Sequence, residues 1–141
     1  MSSVRTMHKN KTAATFLALT LGWSGVHRML LGGARDTLAL LHLGAVAATL
    51  VLLALLPRAN IFYPLLPIIV SAIAGCIEAL MIGLTPDEQF DARYNAGSSR
   101  QSDSQWPLAL LLVTTMLVGT TLLIATMSRL FDLLYTGGAY G

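Results

Sequence analysis

Charged residues are scarce in this chain of 141 amino acids, since Asp, Glu, Lys and Arg together make up 11% of it. About 25% is typical of a soluble domain, so the polar surface is too small for a soluble enzyme of ordinary size. A single cysteine excludes a secreted disulfide scaffold, and the 55% of hydrophobic residues excludes a disordered chain. The basic residues form no patch interleaved with aromatic residues, so we do not expect nucleic acid as a partner.

Long apolar stretches are what the chain has instead, and they contain only two of its formal charges, Arg28 and Glu78. A bilayer core of about 30 Å needs roughly 17–25 apolar residues of helix, and each stretch is long enough. We therefore predict an all-α integral membrane protein, a four-helix transmembrane bundle in contact with the lipid bilayer. The four stretches are residues 12–34, 38–56, 61–84 and 107–128.

A short helix is predicted after the third span. Thr85 can cap its first amides, Pro86 suits its first position, and Glu88 completes a capping box. Phe90 and Tyr94, four residues apart, would lay this helix on the lipid headgroups, which makes it an interfacial helix. The predicted segments are a basic cytoplasmic N-terminus (1–11), a membrane domain of three spans and the interfacial helix (12–95), a polar linker (96–106), a fourth transmembrane helix (107–135) and a tail (136–141).

The basic residues indicate an orientation. Arg5, Lys9 and Lys11 precede the first apolar stretch, and the positive-inside rule keeps such a segment in the cytoplasm. No small-residue cleavage pattern follows the first stretch, which favours a retained span over a signal peptide. With four spans, both the N- and C-termini are predicted to be cytoplasmic and residues 86–106 to face outward.

Small residues recur every four positions on two of the predicted spans. Such stripes let helices approach closely in lipid, where packing replaces the hydrophobic effect. They indicate either packing within one chain or a seam between copies of it. The first stripe is Ala14, Ala18 and Gly22, and the second is Ser71, Gly75, Ala79 and Gly83.

Four polar side chains are predicted to share one layer of the membrane. Arg28 and Glu78 each lie six residues before the end of an apolar stretch, which is about 9 Å of helix. His42 lies about 6 Å into the second stretch, and His27 adjoins Arg28. This layer is either a structural ion pair, a proton or ion relay, or an arginine that extends outward beside a protonated Glu78. The scattered histidines lack metal-ligand spacing and there is no glycine-rich phosphate loop, so we expect neither a metal nor a cofactor.

One block of the sequence resembles the TM-two domain family of small membrane proteins, named for two transmembrane helices. The block begins at Lys11 and includes the glycines Gly22 and Gly25 before Val26-His27-Arg28-Met29-Leu30-Leu31-Gly32, where the family has a glycine-rich turn and His-Arg-Phe-Tyr-Leu-Gly. Ile77-Glu78 is similar to the acidic end of the family's second helix. The resemblance covers residues 9–95 and implies a membrane protein with no defined reaction, in a bacterial inner membrane.

These features predict a non-enzymatic, multi-pass membrane protein that acts by helix–helix association with itself, as a homo-oligomer, or with another membrane protein. One alternative is an ion- or proton-conducting or transporter subunit that uses Arg28 and Glu78. A second is an immunity-type protein against a membrane-acting toxin. The least favoured is an intramembrane hydrolase, in which Ser24 of Gly22-Trp23-Ser24-Gly25 would need His42 as its base.

Overall fold

The computed structural model describes residues 7–140, and within that range the chain is helical with no β-strand. Arg5, part of the predicted basic N-terminus, lies outside the described residues. The helices are α1 (Lys11–Leu21), α2 (Val26–Gly32), α3 (Thr37–Leu55), α4 (Phe62–Leu84), α5 (Asp87–Tyr94) and α6 (Trp106–Thr136). Three of them, α3, α4 and α6, are long and apolar enough to cross a membrane, which supports a membrane protein.

The three long helices begin and end where local chemistry requires it. Asp36 caps α3, since its Oδ1 accepts hydrogen bonds from the amides of Leu38 and Ala39, both at 3.0 Å. Pro107 lies in the first turn of α6, and Gly137 ends that helix with a φ of +68°. With 31 residues, α6 is about 46 Å long, so it extends beyond a bilayer core of about 30 Å or tilts within it.

The first apolar stretch differs from the single span predicted for it. Helix α1 stops at Leu21, a 3-10 turn covers Gly22–Ser24, and α2 starts after Gly25. Gly25 has a φ of +77°, a left-handed conformation that few residues other than glycine adopt, and it reverses the chain. Neither α1 nor α2 is among the helices long enough to cross a membrane.

Together α1 and α2 form a helical hairpin, residues 11–32, whose two ends lie at the same level. Lys9, just before α1, donates a hydrogen bond from Nζ to the carbonyl of Leu31, near the end of α2. The tip of the hairpin reaches Ser71, whose hydroxyl donates to the carbonyl of Trp23, thirteen residues from the end of α4, or about 20 Å of helix. A bilayer core is about 30 Å thick, so the hairpin is too short to cross it, as is expected of a re-entrant hairpin, which enters a membrane and returns on the same side.

The two stripes of small residues pack against each other and bring α1 against α4 in antiparallel orientation. A Cβ atom added to Gly75 would lie 2.7 Å from the Cα of Gly22, so the two backbones are in direct contact. Thr15 lies beside Gly83 in the same interface. All seven predicted packing residues are buried: Ala14, Ala18, Gly22, Ser71, Gly75, Ala79 and Gly83.

Helix α5 lies at its predicted place, but its contacts differ from the prediction. Phe90 is fully buried against the hairpin, in a cluster with Ala14 and Leu31, so the expectation that it lies on lipid headgroups is wrong. Its ring packs on that of Tyr94, with centroids 5.0 Å apart. Thr85 does not cap α5, because its hydroxyl donates to the carbonyl of Met81 at 2.6 Å instead.

The amino-terminal segment and the polar linker meet at one end of the bundle, which we call the linker end. Lys11 Nζ lies 2.8 Å from Asp87 Oδ1 and 3.1 Å from the hydroxyl of Ser104. The amide of Lys9 donates to the side chain of Asn95 at 2.7 Å. Residues 86–106 therefore lie at the same end as the amino-terminal segment, whereas the four-span prediction put them on opposite sides of the membrane. That prediction assumed four crossings, and a hairpin in the first stretch would remove one.

After the linker, α6 runs to the other end of the bundle. We call this the opposite end, and residues 56–61 join α3 to α4 there. Helix α6 is antiparallel to α4, since Leu112 lies against Gly83 and Gly119 against Cys76. Tyr140 therefore lies at the opposite end, whereas residues 7–11 lie at the linker end. This arrangement does not agree with the expectation of two termini on one side.

Candidate functional site

A cluster of ionisable side chains lies between the hairpin, α3 and α4, and its members come from three different helices. The turn at Gly25 directs α2 back along α4, which brings His27 and Arg28 beside Glu78. His42 joins them from the second turn of α3. His27 is fully buried, and His42 and Glu78 are 5% and 8% exposed. The structure thus brings together all four residues that the sequence placed in one polar layer.

Glu78 is the centre of this cluster. Arg28 donates to both of its oxygens, from Nε to Oε2 at 3.0 Å and from Nη2 to Oε1 at 3.1 Å. Such a two-point pair fits the planar guanidinium and adds directional specificity to the charge attraction. His27 contacts Oε2 through Nε2. The only negative charge in the cluster is therefore compensated by direct hydrogen bonds.

His42 belongs to a second chain of hydrogen bonds that leads to the hairpin tip. Its Nδ1 lies 2.6 Å from the hydroxyl of Ser71, and that hydroxyl donates to the carbonyl of Trp23 at 2.8 Å. Since the hydroxyl proton is directed to the carbonyl, Ser71 accepts its other bond from His42 Nδ1–H. In the neutral form of the ring, Nε2 is then unprotonated and faces Glu78 Oε2, 3.5 Å away.

The two imidazole rings pack edge to face, with centroids 5.7 Å apart and an interplanar angle of 68°. Among the described residues, Nδ1 of His27 is buried without a hydrogen-bond partner. Buried polar atoms are nearly always paired, so this atom marks the cluster as energetically strained. The strain is tolerated because the same ring contacts Glu78 with its other nitrogen.

From the sequence, Ser71 is predicted only to pack between helices and Trp23 has no predicted role, yet both belong to the hydrogen-bond network. A serine on an otherwise Gly/Ala stripe was the available signal, because a hydroxyl is the one group there that can pair with a histidine. The carbonyl of Trp23 carried no sequence signal, since any residue has one. Its position follows from the hairpin turn alone.

Ser24, the nucleophile that a hydrolase would require, has a different partner. Its hydroxyl donates to the carbonyl of Leu21 at 2.7 Å, within the hairpin turn. His42, the base it would need, binds Ser71 and approaches Glu78 instead.

At the linker end, two carboxylates fix the linker to the helices. Asp91 accepts bonds from the side chain of Asn95 at 2.7 Å and from the amide of Ser102 at 2.6 Å, which lowers its pKa to about 2. The ammonium group of Lys11 and the hydroxyl of Ser104 lower the pKa of Asp87. These bonds close the linker over the mouth of the hairpin.

Comparison of the chain with protein-family models, with curated proteins and with solved structures gave no match.

Proposed function

We propose that this chain is a small, non-enzymatic, multi-pass membrane protein that acts by helix–helix association, with α3, α4 and α6 as its spans and the re-entrant hairpin as an inserted element. The observation that supports this most is the cluster around Glu78. Its charged groups pair with one another. Each hydrogen bond of the cluster joins either the hairpin or α3 to α4. The cluster therefore serves to hold the hairpin in place.

The energetics favour this role. An unpaired charge at mid-membrane costs about 2.5–3.5 kcal/mol on insertion scales. Arg28 and Glu78 offset that cost for one another, but only while α2 lies on α4. The pair thus couples hairpin insertion to charge compensation. Gly22 and Gly75 add a close backbone contact that no larger residue allows.

For orientation, we propose that the linker end is cytoplasmic, which leaves the carboxyl-terminal end of α6 outside. Lys and Arg are more numerous at the linker end than at the opposite end, and the positive-inside rule assigns the end richer in these two residues to the cytoplasm. The linker end carries Lys9, Lys11, Arg35, Arg93 and Arg100, and the opposite end carries Arg58 and Arg129.

Thiol labelling tests this topology. In a Cys76→Ala background, single cysteines replace the exposed residues Met7, Ser99 and Tyr140, and intact cells are treated with a membrane-impermeant maleimide. We expect labelling of the Tyr140 position only, and labelling of the other two after the membrane is opened. Opposite accessibility of the Met7 and Ser99 positions would restore the four-span arrangement and exclude the re-entrant hairpin.

The contacts that form the association are proposed to involve α6. Only 11% of its spanning window is buried, against 17% for α3 and 33% for α4, so α6 has the largest share of its surface available to a second copy or another membrane protein. Cysteines at the exposed positions Leu117 and Ile124, with Leu41 on α3 as a matched control, test this by oxidative crosslinking in native membranes. We expect crosslinked species from α6 alone. Crosslinking from neither helix would contradict the proposal.

A second candidate function is proton or ion movement, which one observation favours. In neutral His42, Nε2 is a hydrogen-bond acceptor, as is Oε2 of Glu78, and the two atoms lie 3.5 Å apart. A proton between them would be shared by both groups. Toward the opposite end, the next buried hydroxyl on α3, that of Thr49, accepts from the amide of Ile68. A pH-dependent flux in liposomes that is lost in Glu78→Gln would establish this candidate, and equal flux in both proteins would remove it.

We also propose that the chain is a divergent member of the TM-two domain family in a bacterial inner membrane. In support, the residues that carry the resemblance have structural roles. Gly22 and Gly25 form the hairpin turn, and His27 and Arg28 contact Glu78.

A further inference from the structure

We propose that His27, His42 and Glu78 form a binding site for a divalent transition metal ion such as Zn²⁺, and that Arg28 competes with the ion for the carboxylate. This inference goes beyond the proposed function and does not depend on it, because it rests on the donor atoms alone.

The donor atoms converge on one point, and a metal ion there would replace the hydrogen bond between His27 Nε2 and Glu78 Oε2. One ligand atom from each of the three residues lies within 4.8 Å of the others, and His42 Nε2 is 3.5 Å from Glu78 Oε2. A four-coordinate Zn²⁺ with bonds of about 2.0–2.2 Å has ligands roughly 3.3 Å apart. Two histidines and one glutamate are a known zinc ligand set that leaves a fourth position open. Spacing in the sequence hides this set, because the ligands come from three separate helices.

The surroundings of His42 are those of a metal ligand. Ligating histidines usually donate their other ring N–H to a fixed acceptor, which sets the tautomer and aims the free nitrogen at the metal. Here Nδ1–H of His42 donates to Ser71, whose own proton is directed to the carbonyl of Trp23. Nε2 of His42 then points at another acceptor, Glu78 Oε2, and a cation between them would turn repulsion into attraction.

His27 is less constrained than His42. Its Nδ1 has no partner among the described residues, so no second hydrogen bond fixes either tautomer. Its Nε2 donates to Glu78 in the metal-free state, and binding of a metal would shift that proton to Nδ1.

Arg28 determines when the site is available. It occupies both oxygens of Glu78, and a dication beside a guanidinium is strongly unfavourable in the low dielectric of the bilayer. The side chain of Arg28 is 14% exposed, and a long arginine side chain can extend to the membrane surface, where its charge is solvated. The structure therefore represents the arginine-bound state of Glu78, and the metal-bound state would be the alternative.

Co²⁺ titration of the purified full-length protein in detergent tests the proposal, since Co²⁺ in such a site gives a visible ligand-field absorption that Zn²⁺ displaces. We expect this absorption in the parent protein, its loss in His42→Ala and in Glu78→Gln, and no change in His8→Ala. Arg28→Gln should bind at least about 10-fold more tightly, because the competitor is gone. A merely structural cluster would not show that gain.

Ser71→Ala keeps the proposal falsifiable if the ligand variants fail to fold. It removes the hydroxyl that binds both His42 Nδ1 and the carbonyl of Trp23 but leaves all three ligands in place, and loss of such a partner lowers metal affinity about 10–100-fold. Helical circular dichroism of the metal-free variants shows which of them are folded. The proposal is overturned if neither the parent nor folded Arg28→Gln binds Co²⁺, or if His8→Ala abolishes the signal.

Discussion

The contact between Gly22 and Gly75 determines whether the hairpin can lie on α4, and Gly75→Ala tests it directly. The new Cβ would lie 2.7 Å from the Cα and 2.8 Å from the carbonyl carbon of Gly22, and 3.3 Å from the carbonyl oxygen of Ala18. Carbon atoms in normal contact are about 3.5–4.0 Å apart, so α1 would have to move by about 1 Å. The atoms in the way belong to the backbone, so no change of side-chain rotamer can relieve the clash.

The cost of that movement follows from overpacking. Extra methyl groups in a well-packed interior cost typically 1–3 kcal/mol, and a backbone clash belongs in the middle of that range or above. We expect Gly75→Ala to lower the free energy of unfolding by about 2 kcal/mol, which is roughly 30-fold in the unfolding equilibrium. Displacement of the hairpin also moves His27 and Arg28 away from Glu78, which adds to the loss.

Gly44→Ala is the matched control. Gly44 lies within α3, and an added Cβ would meet no atom within 4 Å. Alanine is favoured over glycine in a helix by up to about 1 kcal/mol, so this change should be neutral or stabilising. Unfolding in mixed micelles with increasing SDS, followed by helical circular dichroism and by the fluorescence of Trp23 at the hairpin tip, measures both variants. Unfolding of Gly75→Ala and Gly44→Ala at the same SDS fraction would refute the close contact.

Three further predictions follow from the ionisable residues. Glu78→Gln and Arg28→Gln should each lower the metal-free stability by about 3 kcal/mol, since each leaves a buried charge or polar group without its partner, and parent-like unfolding of both would exclude the pairing. Asp91→Asn should loosen the linker and speed its cleavage by protease, while Asp103→Asn, at an exposed position, should not. The pKa of Asp87 is lowered and that of Asp91 is lowered to about 2, so their stabilisation is complete above the unfolded value of about 3.9 and is lost as pH falls toward 2. Hydrogen exchange of the linker should rise over that interval, and in Asp91→Asn the rise should be smaller.

Much of the fold could be predicted from residue patterns. Three long helices coincide closely with apolar stretches, and α4 ends at Leu84, where Pro86 stops it. Both small-residue stripes are buried, because close helix packing in lipid requires small side chains wherever two backbones meet. The proximity of Arg28, His42 and Glu78 to one another was predicted by counting residues along helices, since helical rise is constant.

The main error concerned the first apolar stretch. Its length suits a span, and hydropathy does not distinguish one helix of 22 residues from two short helices of the same composition. The signal for a turn was present in Gly22 and Gly25, but glycine is also common in membrane helices that continue straight. The same assumption put the linker on the side opposite to the amino-terminal segment, because each added crossing moves the rest of the chain to the other side of the membrane.

By itself, the sequence determined that the protein has apolar segments suited to a membrane, which segments are helical, and which few polar side chains lie within the apolar stretches. These properties depend on composition and on the fixed rise of a helix, and both are local. Only the tertiary structure decided that the first stretch turns back at Gly25, that Phe90 is buried under it, and that Ser71 and the carbonyl of Trp23 orient His42. These depend on contacts between residues up to 76 positions apart, as in Lys11 with Asp87, and no local pattern encodes such pairs.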